Sequence, residues 1–243
     1  MGRLLLVGNS RWHWGQRQAE GLRCWHQPAA EVALMAATPS AFDDLEAWAC
    51  VGALPPGSSL PEARRVDLPQ VPLRDLPPWL GIDRALVGWQ AWCQQDHQPV
   101  LVADAGTCLS LTLIDGGGHF RGGRLSAGLA LQLRSLGQAT EQLPLHLDQA
   151  AAATDDPWPT ATAAAMLQGC LQACAAAVSQ GLRDLEAGPA GSQGADQGWQ
   201  LWLTGGDAQR LAPELRRQGL QPRLAPDLAL DALAALAAAA PLS

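Results

Sequence analysis

The sequence predicts an α/β protein built from two related halves that face a cleft. Three observations carry this expectation. Apolar residues fill 48% of the 243 positions and charged residues only 16%, a globular balance on a chain long enough for one large core or two small ones. Short apolar runs alternate with helical patterns along most of the length. A strand–glycine–polar–strand unit also occurs twice, as "LLVGNSRWHW" and "VADAGTCLSL", its glycines at Gly8 and Gly106. The halves are expected at 1–97 and 98–243.

In the first half, residues 3–7 are an apolar run ended by Gly8-Asn9-Ser10. "RWHWG" then alternates as a half-buried strand does, with His13 between Trp12 and Trp14. A third strand is expected at 31–36, and a helix from Ser40, as its N-cap, to Trp48. Residues 52–80 carry seven prolines between Pro55 and Pro78 and read as an irregular surface crossing. A helix follows over 83–95, with Leu86, Val87, Gln90 and Cys93 at helical spacing.

The second half opens with an apolar strand at 99–103, a Gly106-Thr107 turn and an alternating strand at 108–114. A Gly116-Gly117-Gly118 turn precedes a helix over 127–137. Residues 159–183 form an Ala-rich helix and 187–198 a loop. "WQLWLTGGDAQRL" reads as strand, glycine turn and helix, and the chain closes on a helix over 227–239.

Composition excludes several chemistries. All 16 basic residues are Arg, and there is neither Lys nor Tyr. A Walker-type loop, a Schiff-base cofactor site and a protein-kinase domain each require a Lys. Any phosphate bound here must therefore meet backbone N–H groups, Arg, hydroxyls or a metal. The net charge of −7 and the lack of basic clusters argue against nucleic acid as a partner. The six cysteines form no C-x-x-C pair, and Cys170 and Cys174 read as small buried apolar residues. The ten Trp read as core and interface mass. Asp115 and Asp155-Asp156 read as solvated loop charges. No apolar run has the length of a signal peptide or a membrane span, so a soluble, reducing, cytoplasmic setting is expected.

Five glycine-bearing motifs could carry chemistry, and each also has a plain structural reading. Gly8-Asn9-Ser10 is accounted for by a hairpin turn, or it brings backbone N–H groups to an anion. Asp104, at the end of an apolar strand, needs a partner such as an Arg or a metal ion. "TGGDA", Thr204 to Ala208, is a helix start with Asp207 as N-cap, or a place where two glycines admit a flat ligand. "GIDR", Gly81 to Arg84, is a helix start favoured by the dipole, or a general base beside a substrate-holding Arg. Gly122, Gly123 and Gly128 give loop freedom or close backbone approach at a helix N-terminus.

Taken in order, these five motifs resemble those of the type III pantothenate kinase family over nearly the whole chain. The resemblance implies the fold of the actin–hexokinase–acetate kinase superfamily, two RNase H-like halves around an ATP cleft. It implies ATP-dependent phosphorylation of pantothenate, the first step toward coenzyme A. It also implies Mg²⁺, a monovalent cation (K⁺ or ammonium) and a homodimer. Carried over motif by motif, Gly8, Asn9, Ser10 and Arg11 match the first phosphate turn. Thr107 matches an ATP contact and Asp104 the monovalent-cation ligand. Gly81, Ile82, Asp83 and Arg84 match the substrate motif, with Asp83 as proton acceptor. Thr162 matches a pantothenate contact, and Gly205 and Gly206 match the adenosine motif. Two positions depart from the family pattern: Leu6 stands where the first turn usually has Asp, and Ala127 where the glycine segment has Pro. Two other functions fit the same motifs. One is a catalytically weakened member acting as a dimeric binding or regulatory protein; the other is a different small-molecule kinase of the superfamily.

Overall fold

The computed structural model describes residues 2–29, 42–143, 153–187 and 198–239. Nine strands and five helices run through them: β1 Arg3–Val7, β2 Arg11–Gln18, β3 Gly21–Pro28, β4 Leu45–Cys50, α1 Ile82–Gln94, β5 Val100–Ala105, β6 Cys108–Ile114, β7 Phe120–Ala127, α2 Leu129–Ala139, α3 Thr162–Ala187, β8 Gln200–Thr204, α4 Ala208–Arg217, β9 Arg223–Leu224 and α5 Leu228–Ala239. They form two compact units. The first comprises 1–97, 114–121 and 227–243; the second comprises 98–113 and 122–226.

The first unit is organised by a sheet of order β3-β2-β1-β4. β1 is apolar from Leu4 to Val7 because both of its faces are covered there. Leu4 and Leu6 point into a cluster with Ala47, Ile82, Leu86 and Leu233. Leu5 and Val7 point into a second cluster with Trp12, Trp14, Phe42 and Trp48. Trp14 stacks on Phe42, with ring centroids 6.1 Å apart, and Trp12, Trp14 and Trp48 are fully buried. β2 pairs antiparallel with β1 and β3, while β4 runs parallel to β1. The proline-rich crossing contributes two short 3-10 turns at Glu62–Arg64 and Leu68–Gln70.

The second unit is organised by a sheet of order β7-β6-β5-β8-β9. The order of its first four strands repeats that of the first sheet, so the echo in the sequence reappears as strand order. Its core joins Leu101, Ala103, Leu109, Leu111, Leu201 and Leu203 to Val178 of α3 and Leu211 and Leu215 of α4. By length and composition α3 could cross a membrane, but half of its apolar window is buried inside this fold. Cys170 and Cys174 are buried on it as free thiols.

Several expectations need correction. The third strand lies at 21–28; residues 31–36 fall outside the described residues, as does most of the 187–198 loop. Residues 45–50 are strand β4, not the end of a helix begun at Ser40, because they complete the parallel ladder beside β1. Residues 120–127 form edge strand β7, where five of the eight residues are exposed and none is buried. Asp115 is not simply solvated. It organises the β6–β7 turn by accepting hydrogen bonds from Gly117 N at 2.9 Å, His119 N at 3.0 Å and Arg121 Nε at 2.6 Å.

Candidate functional site

In the first unit, β1 ends at Val7 and the chain reverses through Gly8-Asn9-Ser10. Gly8 N donates to Arg11 O at 3.0 Å, which closes the turn. Asn9, Ser10 and Arg11 are exposed at its rim. The Asn9 side chain lies against Gly52, where a methyl group would meet Asn9 Oδ1 at 2.9 Å. Leu6 is only 6% exposed and belongs to the apolar core, so its side chain offers no ligand to a cation.

The "GIDR" motif opens α1 in the same unit, with Gly81 at the N-cap and Ile82 buried. Asp83 occupies the first turn, where the helix dipole favours a carboxylate. Its Oδ1 accepts a hydrogen bond from Arg84 N at 2.9 Å. Burial nevertheless raises its pKa, and the bonds and charge of Arg84 offset this only in part. The Arg84 guanidinium lies over the Phe120 ring, 5.6 Å from its centroid. Sequence reasoning missed Phe120, because the contact pairs residues 36 apart through strand β7.

In the second unit, three glycine motifs converge. Asp104 and Ala105 end β5, and the Gly106-Thr107 turn leads into β6. Gly128, the N-cap of α2, donates from its N–H to Thr107 O at 3.0 Å. A methyl group on Gly128 would lie 2.1 Å from Gly106 O and 2.8 Å from Thr107 O, so only glycine lets these backbones touch. Gly205, just past β8, has φ +91, and a methyl group there would lie 2.4 Å from Asp104 Oδ1 and 2.7 Å from Ala105 O. Asp207 N closes the arrangement by donating to Ala105 O at 2.9 Å. Asp207 is the N-cap residue of α4 but makes no capping hydrogen bond with its side chain. Gly206 is exposed, with open space around it.

The structure thus joins Asp104, Gly106, Thr107, Gly128 and Gly205 in one glycine-lined corner. Thr162 is the exposed first residue of α3. Gly122 and Gly123 lie within β7, and a methyl group on Gly122 would meet nothing within 4 Å. Among the described residues, no group of three or more His, Cys, Asp or Glu side chains is placed to hold a metal ion. This donor set does not fit a protein-held Mg²⁺.

Comparison with known proteins gives a consistent picture. The family model described as type III pantothenate kinase matches residues 63–184. A type III pantothenate kinase of Synechococcus sp. (strain JA-3-3Ab) is 37% identical over 235 residues, covering 94% of this chain and 89% of the relative. Among solved structures, a protein from Campylobacter jejuni described as a Baf family transcriptional activator superposes with TM-score 0.59 at 16% identity, covering 96% of each chain. A Listeria monocytogenes protein described as an N-acetylmannosamine kinase superposes with TM-score 0.52 at 12% identity, covering 98% of each chain.

Proposed function

The chain belongs to the type III pantothenate kinase family, and from that premise we propose that it transfers the γ-phosphoryl group of ATP to the primary hydroxyl of pantothenate, on the way to coenzyme A. The observation that carries this reading is Asp83. It is a half-buried carboxylate in the first turn of α1, with its pKa raised above the ordinary carboxylate value by desolvation and Arg84 next to it. A base works best when its pKa approaches the working pH, and such a group contributes roughly 10²–10⁴-fold in rate.

In this mechanism the pantothenate hydroxyl oxygen attacks the γ-phosphorus and its proton passes to Asp83. The bond to the β–γ bridging oxygen breaks, and ADP leaves. Arg84, steadied by Phe120, orients the acceptor, with Gly81 and Ile82 shaping the backbone beside it. Thr162 supplies a hydroxyl to pantothenate. The turns at Gly8–Arg11 and at Thr107 offer backbone and hydroxyl donors to phosphate oxygens, as a chain without Lys requires. Gly205 and Gly206 leave room for the adenine ring. Positioning and fixed dipoles supply most of the acceleration in phosphoryl transfer.

Asp104 is the residue that would hold K⁺ or ammonium. Such an ion adds positive charge beside the nucleotide phosphates. Mg²⁺ has no carboxylate on β1 to receive it and would arrive as the ion of the nucleotide itself. Family membership also supports a homodimer, which sedimentation analysis of the purified chain tests.

Leu6 favours a second reading, a family member that binds its ligands without turnover. One assay separates the readings: ATP consumption and phosphorylated product, measured with pantothenate, N-acetylmannosamine and acetate as acceptors, with and without K⁺. The proposal requires product from pantothenate. No product from any acceptor supports the binding protein, and product from another acceptor alone supports a different kinase.

A further inference from the structure

We propose that His13 and His26, backed by Asp227, form a proton-linked anion contact at the Gly8–Ser10 turn, so that a nucleoside triphosphate binds there together with one proton. This inference rests on the nucleotide reading of that turn.

The strand register sets up the arrangement. Leu6 pairs with His13 across β1 and β2, and His13 pairs with His26 across β2 and β3. Leu6, His13 and His26 therefore form one cross-strand row on one face of the sheet. The two rings meet with Nδ1 to Nδ1 at 2.9 Å, so one proton lies between them. The outer nitrogen of His13 looks at the turn: a methyl group on Gly8 would lie 3.3 Å from His13 Nε2. The outer nitrogen of His26 faces Asp227 Oδ1 at 3.6 Å, and that oxygen is buried without a hydrogen bond.

Two protonation states satisfy this row of side chains. In the neutral state the shared proton sits on His13 Nδ1 and His26 Nε2–H points to Asp227. His13 Nε2 then shows a bare lone pair to the turn, which repels an anion. In the second state the shared proton has moved to His26 Nδ1, and a solvent proton has been taken up on His13 Nε2. His26 is now an imidazolium opposite the Asp227 carboxylate, and neutral His13 presents an N–H to the turn. An arriving phosphate selects the second state.

The remaining charges nearby fit this division. Burial, then His26 and Arg11, lower the pKa of His13 to about 4, so His13 itself stays neutral. Cys24 is hydrogen-bonded to Asp227, and its pKa is pushed up to about 12, chiefly by burial and then by Asp227 and Asp231. Cys24 therefore remains a thiol and adds no charge. Leu6, in the same row, brings no carboxylate to compete for the proton.

The test is ATP binding to the full chain by calorimetry between about pH 8 and about pH 6, in two buffers of different ionisation enthalpy, with adenosine as a phosphate-free probe. We expect about tenfold tighter ATP binding at the lower pH, uptake of one proton and no pH dependence for adenosine. His26→Gln should flatten the ATP dependence. His13→Gln should weaken ATP binding about tenfold at the lower pH and leave the KM for pantothenate unchanged. Nitrogen-15 imidazole spectra of the unaltered chain need no variant to fold; ATP should move the His13 proton to Nε2. ATP binding without proton uptake, or with the His13 tautomer unchanged, overturns this proposal alone. No ATP binding at any pH overturns the nucleotide reading of the turn as well.

Discussion

Replacing Gly205 by Ala perturbs the second unit at its most constrained point. An L-residue at φ +91 costs about 1–2 kcal/mol. The added methyl group would also sit 2.4 Å from Asp104 Oδ1 and 2.7 Å from the carbonyl carbon and oxygen of Ala105. Only Asp104 can rotate away; Ala105 is backbone at the end of β5, and its carbonyl oxygen accepts from Asp207 N. Overpacking of this kind costs about 1–3 kcal/mol. Together these terms give about 2–5 kcal/mol, which lowers Tm by about 4–20 °C in a chain of this size. The assay is a thermal melt of Gly205→Ala beside Gly206→Ala, where the methyl group would meet nothing within 4 Å. Gly206→Ala should stay within about 0.5 kcal/mol of the parent. ATP affinity should fall in Gly205→Ala, because Asp104 must move and the Ala105–Asp207 hydrogen bond is displaced. A Gly205→Ala chain with the parent's Tm and ATP affinity would refute the reasoning.

Other perturbations have defined outcomes. Leu6→Asp places an unpaired carboxylate in the apolar cluster of β1 and α1, and chemical denaturation should show a loss of several kcal/mol rather than a recovered metal site. Gly169→Ala, in the interior of α3 with open space around the added methyl group, should raise stability by about 0.5–1 kcal/mol in the same experiment. The raised pKa of Asp83 sets two opposite pH trends. Turnover should fall as pH drops through that value, above the ordinary carboxylic range, because the base becomes protonated. The Asp83 contribution to stability is fully present below the unfolded value and is lost as pH rises through the folded one. Asp83→Asn should remove both trends, as read by pH–rate profiles and pH-dependent melts.

The parts legible in the sequence were those whose local pattern matches their final environment. β1 and β5 read as strands because they are apolar runs covered on both faces. α1 and α3 read as helices because their apolar residues keep helical spacing. β4 was hidden: "LEAWAC" contains good helix formers, and only its parallel pairing with β1 makes it a strand. β3 and β7 lie at sheet edges and bury no residue fully, so neither shows an apolar run. The candidate site divides in the same way. Glycine punctuates the Gly8, Gly106, Gly128 and Gly205 turns, so they can be seen without a structure. Their mutual fit, Gly128 against Gly106 O and Gly205 against Ala105 O, depends on tertiary packing. The His13–His26 pair depends on strand register, and the stacking of Arg84 on Phe120 on the packing of α1, neither of which a local pattern reports.

The central claim is that Asp83 serves as the base of an ATP-dependent pantothenate kinase. The most direct measurement is the rate of phosphopantothenate formation by the parent chain and by Asp83→Asn, followed by mass spectrometry, with ATP affinity measured on the same samples. The account predicts product from the parent, a rate at least about 100-fold lower from the variant, and equal ATP affinity in both. Equal rates from the two chains, or no phosphopantothenate from a parent chain that binds ATP, would contradict it.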